Sequence, residues 1–141
     1  MKQIILILLI LLFLSCSNQK INSSEAVVID PPLVVRMNLN TDKSLYHSNE
    51  LMNISVSMDS NKNIPNVTLN VKGIYSKNRY RLDKVQMINL FKGNNVVVVE
   101  YKTPKCNTCS GIRQGVYEII AELSVDSVLV ANNSAKIKIK Q

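Results

Sequence analysis

The chain has 141 residues, a formal net charge of +7, three cysteines, one histidine and no tryptophan. That length leaves room for one domain of ordinary size and not two. Aromatic residues make up only 5% of the chain, too few for the stacking platform of a nucleic-acid binder.

Met1-Lys2 supplies a charged start, and an unbroken apolar run follows from Ile4 to Leu14, ending at Ser15-Cys16. A charged start, a short apolar stretch and a small residue before the cut mark an export signal, predicted here over residues 1–15. The run is shorter than the roughly 20 apolar residues that a membrane-crossing helix needs. Phe13-Leu14-Ser15-Cys16 resembles the lipobox of prokaryotic lipoproteins, although Phe13 stands where leucine is usual. The resemblance implies that Cys16 takes a thioether-linked diacylglycerol and becomes the first residue of the mature chain. Two acyl chains are what stable anchoring requires, at about 0.8 kcal/mol per buried CH₂. The expected location is the extracytoplasmic face of a cell membrane. A plain secretory signal with an incidental cysteine is the alternative.

Residues 16–25 then read as a lipidated N-terminus and a tether, polar and without periodicity. Residues 26–141 read as the folded domain. Pro31-Pro32 separates two apolar stretches, Val27–Ile29 and Leu33–Leu39. Proline lacks the ladder N–H and sits at edges and breaks, so this pair predicts a first strand that leaves one sheet for the other. From Leu51 onward the pattern has period two. Met52, Ile54, Val56 and Met58 alternate with Asn53, Ser55 and Ser57, and Val67, Leu69 and Val71 alternate with Thr68, Asn70 and Lys72. Val85 and Met87 alternate less cleanly with Gln86 and Ile88. The run Val96–Tyr101 predicts a strand buried on both sides or at a sandwich centre. Tyr117, Ile119, Ala121 and Leu123 share one face, and Ile137 and Ile139 close the chain between Lys136, Lys138 and Lys140. Turn residues cluster at Ser48-Asn49, Asp59-Ser60-Asn61, Gly93-Asn94-Asn95, Pro104, Gly111 and Asp126-Ser127. No segment of helical length has a 3.6-residue period. The fold class expected is all-β, a sandwich of roughly seven to nine strands.

Tyr46-His47-Ser48-Asn49-Glu50-Leu51 resembles the Tyr-x-x-Gly-Glu-x turn that enters the second strand of many prokaryotic immunoglobulin-like surface domains. Asn49 replaces the usual glycine, and asparagine is the next best residue for a left-handed backbone. Gly115-Val116-Tyr117 resembles their tyrosine-corner strand. The segment Thr103–Ile112, with Cys106 and Cys109, is similar to a loop of uncharacterised archaeal lipoproteins, chiefly of methanogens. Together these imply an immunoglobulin-like β-sandwich at a cell surface and no particular activity.

Lipid on Cys16 leaves Cys106 and Cys109 as a pair, for which several chemistries are open. A disulfide suits an exported chain; a ring this short contributes about 2 kcal/mol by loop entropy. A redox dithiol is the second reading, with Lys102, Lys105 and Arg113 as cations that lower a thiol pKa, but such motifs open a helix and here a strand follows. A zinc site needs four ligands, and His47 is distant in sequence. Free thiols in a reducing niche are the fourth. No catalytic group, cofactor or metal site is expected: His47 lies in a turn, the acidic residues are scattered, and no phosphate-binding glycine loop is present.

The positive charge suits solubility and attraction to anionic surfaces. The lysine row at 136, 138 and 140 reads as protection of a terminal edge strand, with binding of an anionic polymer as the alternative. Asn-X-Ser/Thr triplets at Asn22, Asn53, Asn66 and Asn132 matter only in a host that glycosylates exported proteins. The expected function is a non-catalytic, membrane-anchored module that binds or positions a protein, glycan or wall polymer. A thiol-exchange lipoprotein and an accessory subunit of a membrane complex are the alternatives.

Overall fold

A computed structural model describes residues 31–106 and 112–141. Pro32–Gln141 is one compact unit. Its eight strands form two sheets, and the described residues contain no helix. The three-stranded sheet has β1 (Val35–Thr41), β3 (Leu51–Ser60) and β6 (Gly93–Lys102) in the order β1-β3-β6. The five-stranded sheet orders β2 (Leu45–His47), β8 (Val128–Lys140), β7 (Gly115–Val125), β4 (Ile64–Ser76) and β5 (Arg79–Leu90) as β2-β8-β7-β4-β5. All pairings are antiparallel except β2 with β8. This is an immunoglobulin-like β-sandwich.

The alternation read from the sequence produces the core directly. Met52, Ile54, Val56 and Met58 of β3 face Val67, Leu69 and Val71 of β4 and Ile119, Ala121 and Leu123 of β7. Each fully buried aliphatic side chain contributes about 1.5–3 kcal/mol relative to exposure. Gly73 of β4 sits close against β7. A β-carbon there would lie 2.6 Å from Ile119 Cδ1 and 2.7 Å from the Glu118 carbonyl oxygen.

Two hairpins close on two-residue loops with both φ angles positive: Lys77 and Asn78 (52° and 59°), and Asp126 and Ser127 (48° and 68°). That geometry matches the right-handed twist of the strands it joins. The Asp126-Ser127 turn was legible in the sequence. The Lys77-Asn78 turn was not, since lysine gives no turn signal.

The chain changes sheets after Thr41, between β1 and β2; Val27–Ile29, and with it the change expected at Pro31-Pro32, lies outside the described residues. Three expectations need correction. The β-branched run Val96–Tyr101 forms β6, an edge strand whose Val96 and Val98 are exposed. Only Val99 is fully buried there, because Val96 and Val98 lie opposite Ser57 and Ser55 on the face turned away from the core, while Val97 and Val99 lie opposite Val56 and Ile54. The second concerns β8, which β2 covers at Lys138–Lys140, so Lys138 and Lys140 are not on a free edge, while Lys136 lies beyond that pairing. Last, β6 begins at Gly93, and the preceding turn is Phe91-Lys92.

Candidate functional site

Strand register divides the sandwich into two ends. The chain enters the domain at one of them, where the backbone N–H of Val34 donates to Asn61 Oδ1 (2.9 Å) and Asn61 Nδ2 donates to the Pro32 carbonyl (2.9 Å). The β5–β6 turn and the Asp126-Ser127 hairpin share this end. An open depression of about 660 Å³ lies beside it, lined by Val34, Arg36, Asp59 and Lys92 among others. The other end carries the β2–β3 turn, residues 103–106 and 112–114, and the tip of the β4–β5 hairpin.

At that far end the Tyr46 turn is a closed hydrogen-bond unit. Tyr46 is fully buried; its hydroxyl donates to Asp42 Oδ1 at 2.6 Å and accepts the N–H of Lys43 at 2.9 Å. Asp42 Oδ1 also accepts the N–H of Asn53 at 2.8 Å. The Tyr46 hydrogen bond, chiefly, holds the Asp42 carboxyl below its ordinary pKa. Burial pushes the Tyr46 phenol up to about 12, helped by Asp42. Glu50 accepts the N–H of His47 and pairs with the Lys43 ammonium, which lowers the Glu50 pKa and raises that of Lys43. Asn49 has φ 69°, the left-handed conformation expected of it.

Thr103 ties the turn to the segment carrying the cysteines. Its hydroxyl accepts the N–H of Glu50 (2.9 Å) and donates to the His47 carbonyl (2.7 Å). Next to it, the N–H of Cys106 donates to Ser48 Oγ at 2.8 Å. Cys106 is buried, with its Sγ 3.8 Å from the Lys140 carbonyl oxygen. A bridge between Cys106 and Ile112 pins both ends of the loop. The fold thus brings Cys106 beside the turn that carries His47, which sequence distance concealed. Cys106 carries a free, buried thiol in this structure, and Cys16 and Cys109 lie outside the described residues. His47, expected in a turn, is the exposed last residue of β2, and its Nδ1 is 3.7 Å from Glu50. Among the described residues no group of three or more His, Cys, Asp or Glu side chains gathers to hold a metal. Tyr117 closes the tyrosine corner: its hydroxyl donates to the Arg113 carbonyl four residues upstream.

The outer face of the five-stranded sheet holds a feature missed in the sequence. Tyr75 and Tyr80 oppose each other across the β4–β5 hairpin, with ring centroids 5.1 Å apart and planes at 62°. Lys72 Nζ lies 5.6 Å from the Tyr80 centroid and 2.6 Å from Glu122 Oε1. Hydrogen bonding to Glu122, above all, raises the Lys72 pKa. Beside the rings, Val116, Glu118 and Ile120 complete a shallow cleft of about 350 Å³. Glu118 Oε1 accepts the Ser134 hydroxyl at 2.8 Å. Two tyrosines placed symmetrically about a two-residue turn are the sequence signal for this pair, visible only once that turn is recognised.

No protein-family model matches the chain, and no curated protein matches it. Among solved structures it is similar to the CARDB domain of a Pyrococcus furiosus protein, in solution (TM-score 0.56, 13% identity, 76% of this chain and 94% of that one). The crystal structure of that domain in complex with di-metal ions is also similar (TM-score 0.53, 15% identity, 78% and 89%). A β-glucosidase from Listeria innocua matches at TM-score 0.51 and 12% identity, over 76% of this chain and 16% of the enzyme. At these identities the likeness is one of fold.

Proposed function

We propose that this protein is a membrane-anchored surface lipoprotein whose immunoglobulin-like domain is a non-catalytic binding or positioning module. The observation that carries the reading is the near whole-domain likeness to a CARDB domain, 94% of which is covered, beside first residues that read as an export signal and resemble a lipobox. The glucosidase likeness reaches only a small part of that enzyme and gives no reason to assign catalysis here. In this reading Cys16 bears the lipid, residues 17–25 form the spacer, and the ligand is met by the sandwich. The described domain starts at the Val34–Asn61 end, opposite the end that carries the Tyr46 turn and the tyrosine cleft.

Cys106 and Cys109 are assigned a structural disulfide. The burial of Cys106 and its pinned backbone favour a role in loop shape over thiol exchange, which needs an accessible sulfur.

Cell fractionation with surface proteolysis tests the reading. Wild-type protein should sit in the membrane fraction and be cut by protease added to intact cells. Cys16→Ser should shift it out of that fraction. A protein retained equally after Cys16→Ser, or shielded from protease in intact cells, would contradict the assignment.

A further inference from the structure

We propose that the cleft framed by Tyr75, Tyr80 and Glu118 binds a neutral carbohydrate chain. This deepens the binding-module reading and rests on it. The tyrosine rings sit on a sheet face rather than in the core, and Tyr75 is 56% exposed. The edge-to-face pair also stabilises the hairpin. The two rings line a cleft with exposed Val116 at its margin.

The surroundings give the rings a fixed stance. Each tyrosine restrains the other through the edge-to-face contact. The Lys72 ammonium, itself held by Glu122, lies near the Tyr80 ring. Rings already ordered lose little freedom when a ligand stacks on them.

Chemistry selects the ligand class. A pyranose presents an apolar C–H face and a rim of hydroxyls, so it needs an apolar ring surface bordered by hydrogen-bonding groups. Tyrosine supplies both in one side chain. Glu118 adds a carboxylate, which has about four acceptor positions; Ser134 takes one of them. Glu118 borders the cleft and Lys72 is paired with Glu122, while Lys136 and Lys138 of β8 stand opposite Glu118 and Val116. An anionic polymer is therefore the competing ligand, and the salt dependence of binding separates the two. The open form of the cleft suits an extended chain lying along the sheet rather than a small molecule enclosed by it.

The test uses the mature full-length protein in detergent micelles, screened on an array of neutral gluco-, manno-, galacto-, xylo- and N-acetylglucosamine oligosaccharides. Polyglutamate and a polyproline peptide serve as controls. Binding should appear on a neutral glycan and persist at about 0.5 M salt, where charge interactions are screened within a few Å. Tyr75→Ala and Tyr80→Ala should each weaken it at least about tenfold, a loss of ~1.4 kcal/mol. Glu118→Gln should weaken it less, and Tyr75→Phe should leave most of it. Val85→Ser, on the same sheet face, should leave it unchanged. Thermal unfolding of each variant separates lost binding from lost fold, and Tyr75→Phe and Glu118→Gln keep the test open if an alanine variant unfolds.

Retention by polyglutamate that collapses in salt, binding of the polyproline peptide, or no binding to any neutral glycan would overturn the proposal. So would a glycan that binds Tyr75→Ala as well as wild type. That last result would leave the binding-module reading intact, whereas a protein never exported would remove the module reading itself.

Discussion

The Tyr46 hydroxyl, on a side chain with no solvent exposure, donates to Asp42 Oδ1 at 2.6 Å. The same carboxylate oxygen accepts the N–H of Asn53. This contact fastens the point where the chain leaves the three-stranded sheet for the five-stranded one. Removing the hydroxyl by Tyr46→Phe leaves the Lys43 N–H and Asp42 without their partner. The expected loss is about 1–3 kcal/mol, read as a lower urea midpoint at an unchanged slope. A midpoint equal to wild type would show the turn held by packing alone.

Stability should depend on pH at both extremes through this turn. Asp42 and Glu50 have lowered folded pKa values, so the stability they give is present above the unfolded carboxylate range and is lost as pH falls through the folded values. Tyr46 is raised to about 12. The unfolded phenol ionises near 10 while the folded one stays neutral, so stability is complete below about pH 10 and is lost between about 10 and 12. Urea titrations across pH should show both declines. Asp42→Asn should flatten the acid limb; an unchanged limb would rule out Asp42 as its source.

Gly73 faces Ile119 with no room for a methyl group, and two of the three nearest atoms are backbone. Gly73→Ala should therefore destabilise by about 1–3 kcal/mol. Gly115→Ala meets nothing within 4 Å and should change stability by less than about 0.5 kcal/mol. Equal effects in thermal unfolding would contradict the crowding.

Much of the sandwich was legible in the sequence, for a local reason. On β3, β4 and β7 every second residue is apolar, and those residues are the core, since side-chain direction in a strand follows from position alone. The Asn49 turn and the tyrosine corner of Tyr117 were equally readable, because each needs a few neighbouring residues of fixed type. What escaped depends on neighbours distant in sequence. Val96 and Val98 look like core residues until the register sets them opposite Ser57 and Ser55, on the face turned away from the core. The lysines of β8 look like edge protection until β2 is placed beside Lys138–Lys140. The tyrosine cleft needed three strands in register before Glu118 and Ile120 came beside Tyr75 and Tyr80.

The edge position of β6 gives a further contrast. Val98→Lys replaces an exposed side chain and should alter stability by no more than about 0.5 kcal/mol while discouraging edge association. Ile54→Ala, in the centre of β3 with no exposure, should lose about 2–5 kcal/mol. A severe loss from Val98→Lys would place β6 inside the core.

For the cysteine pair, intact protein should resist alkylation at Cys106 and Cys109 before reduction and take two labels after it. Labelling of both thiols in unreduced protein would contradict the proposed disulfide.

Intact mass of protein extracted from membranes tests the central claim most directly. The expected species begins at Cys16, lacks residues 1–15, carries the mass of a diacylglyceryl group, and reverts to an unlipidated form in Cys16→Ser. A chain that retains Met1, or one that is cut but bears no lipid on Cys16, would contradict it.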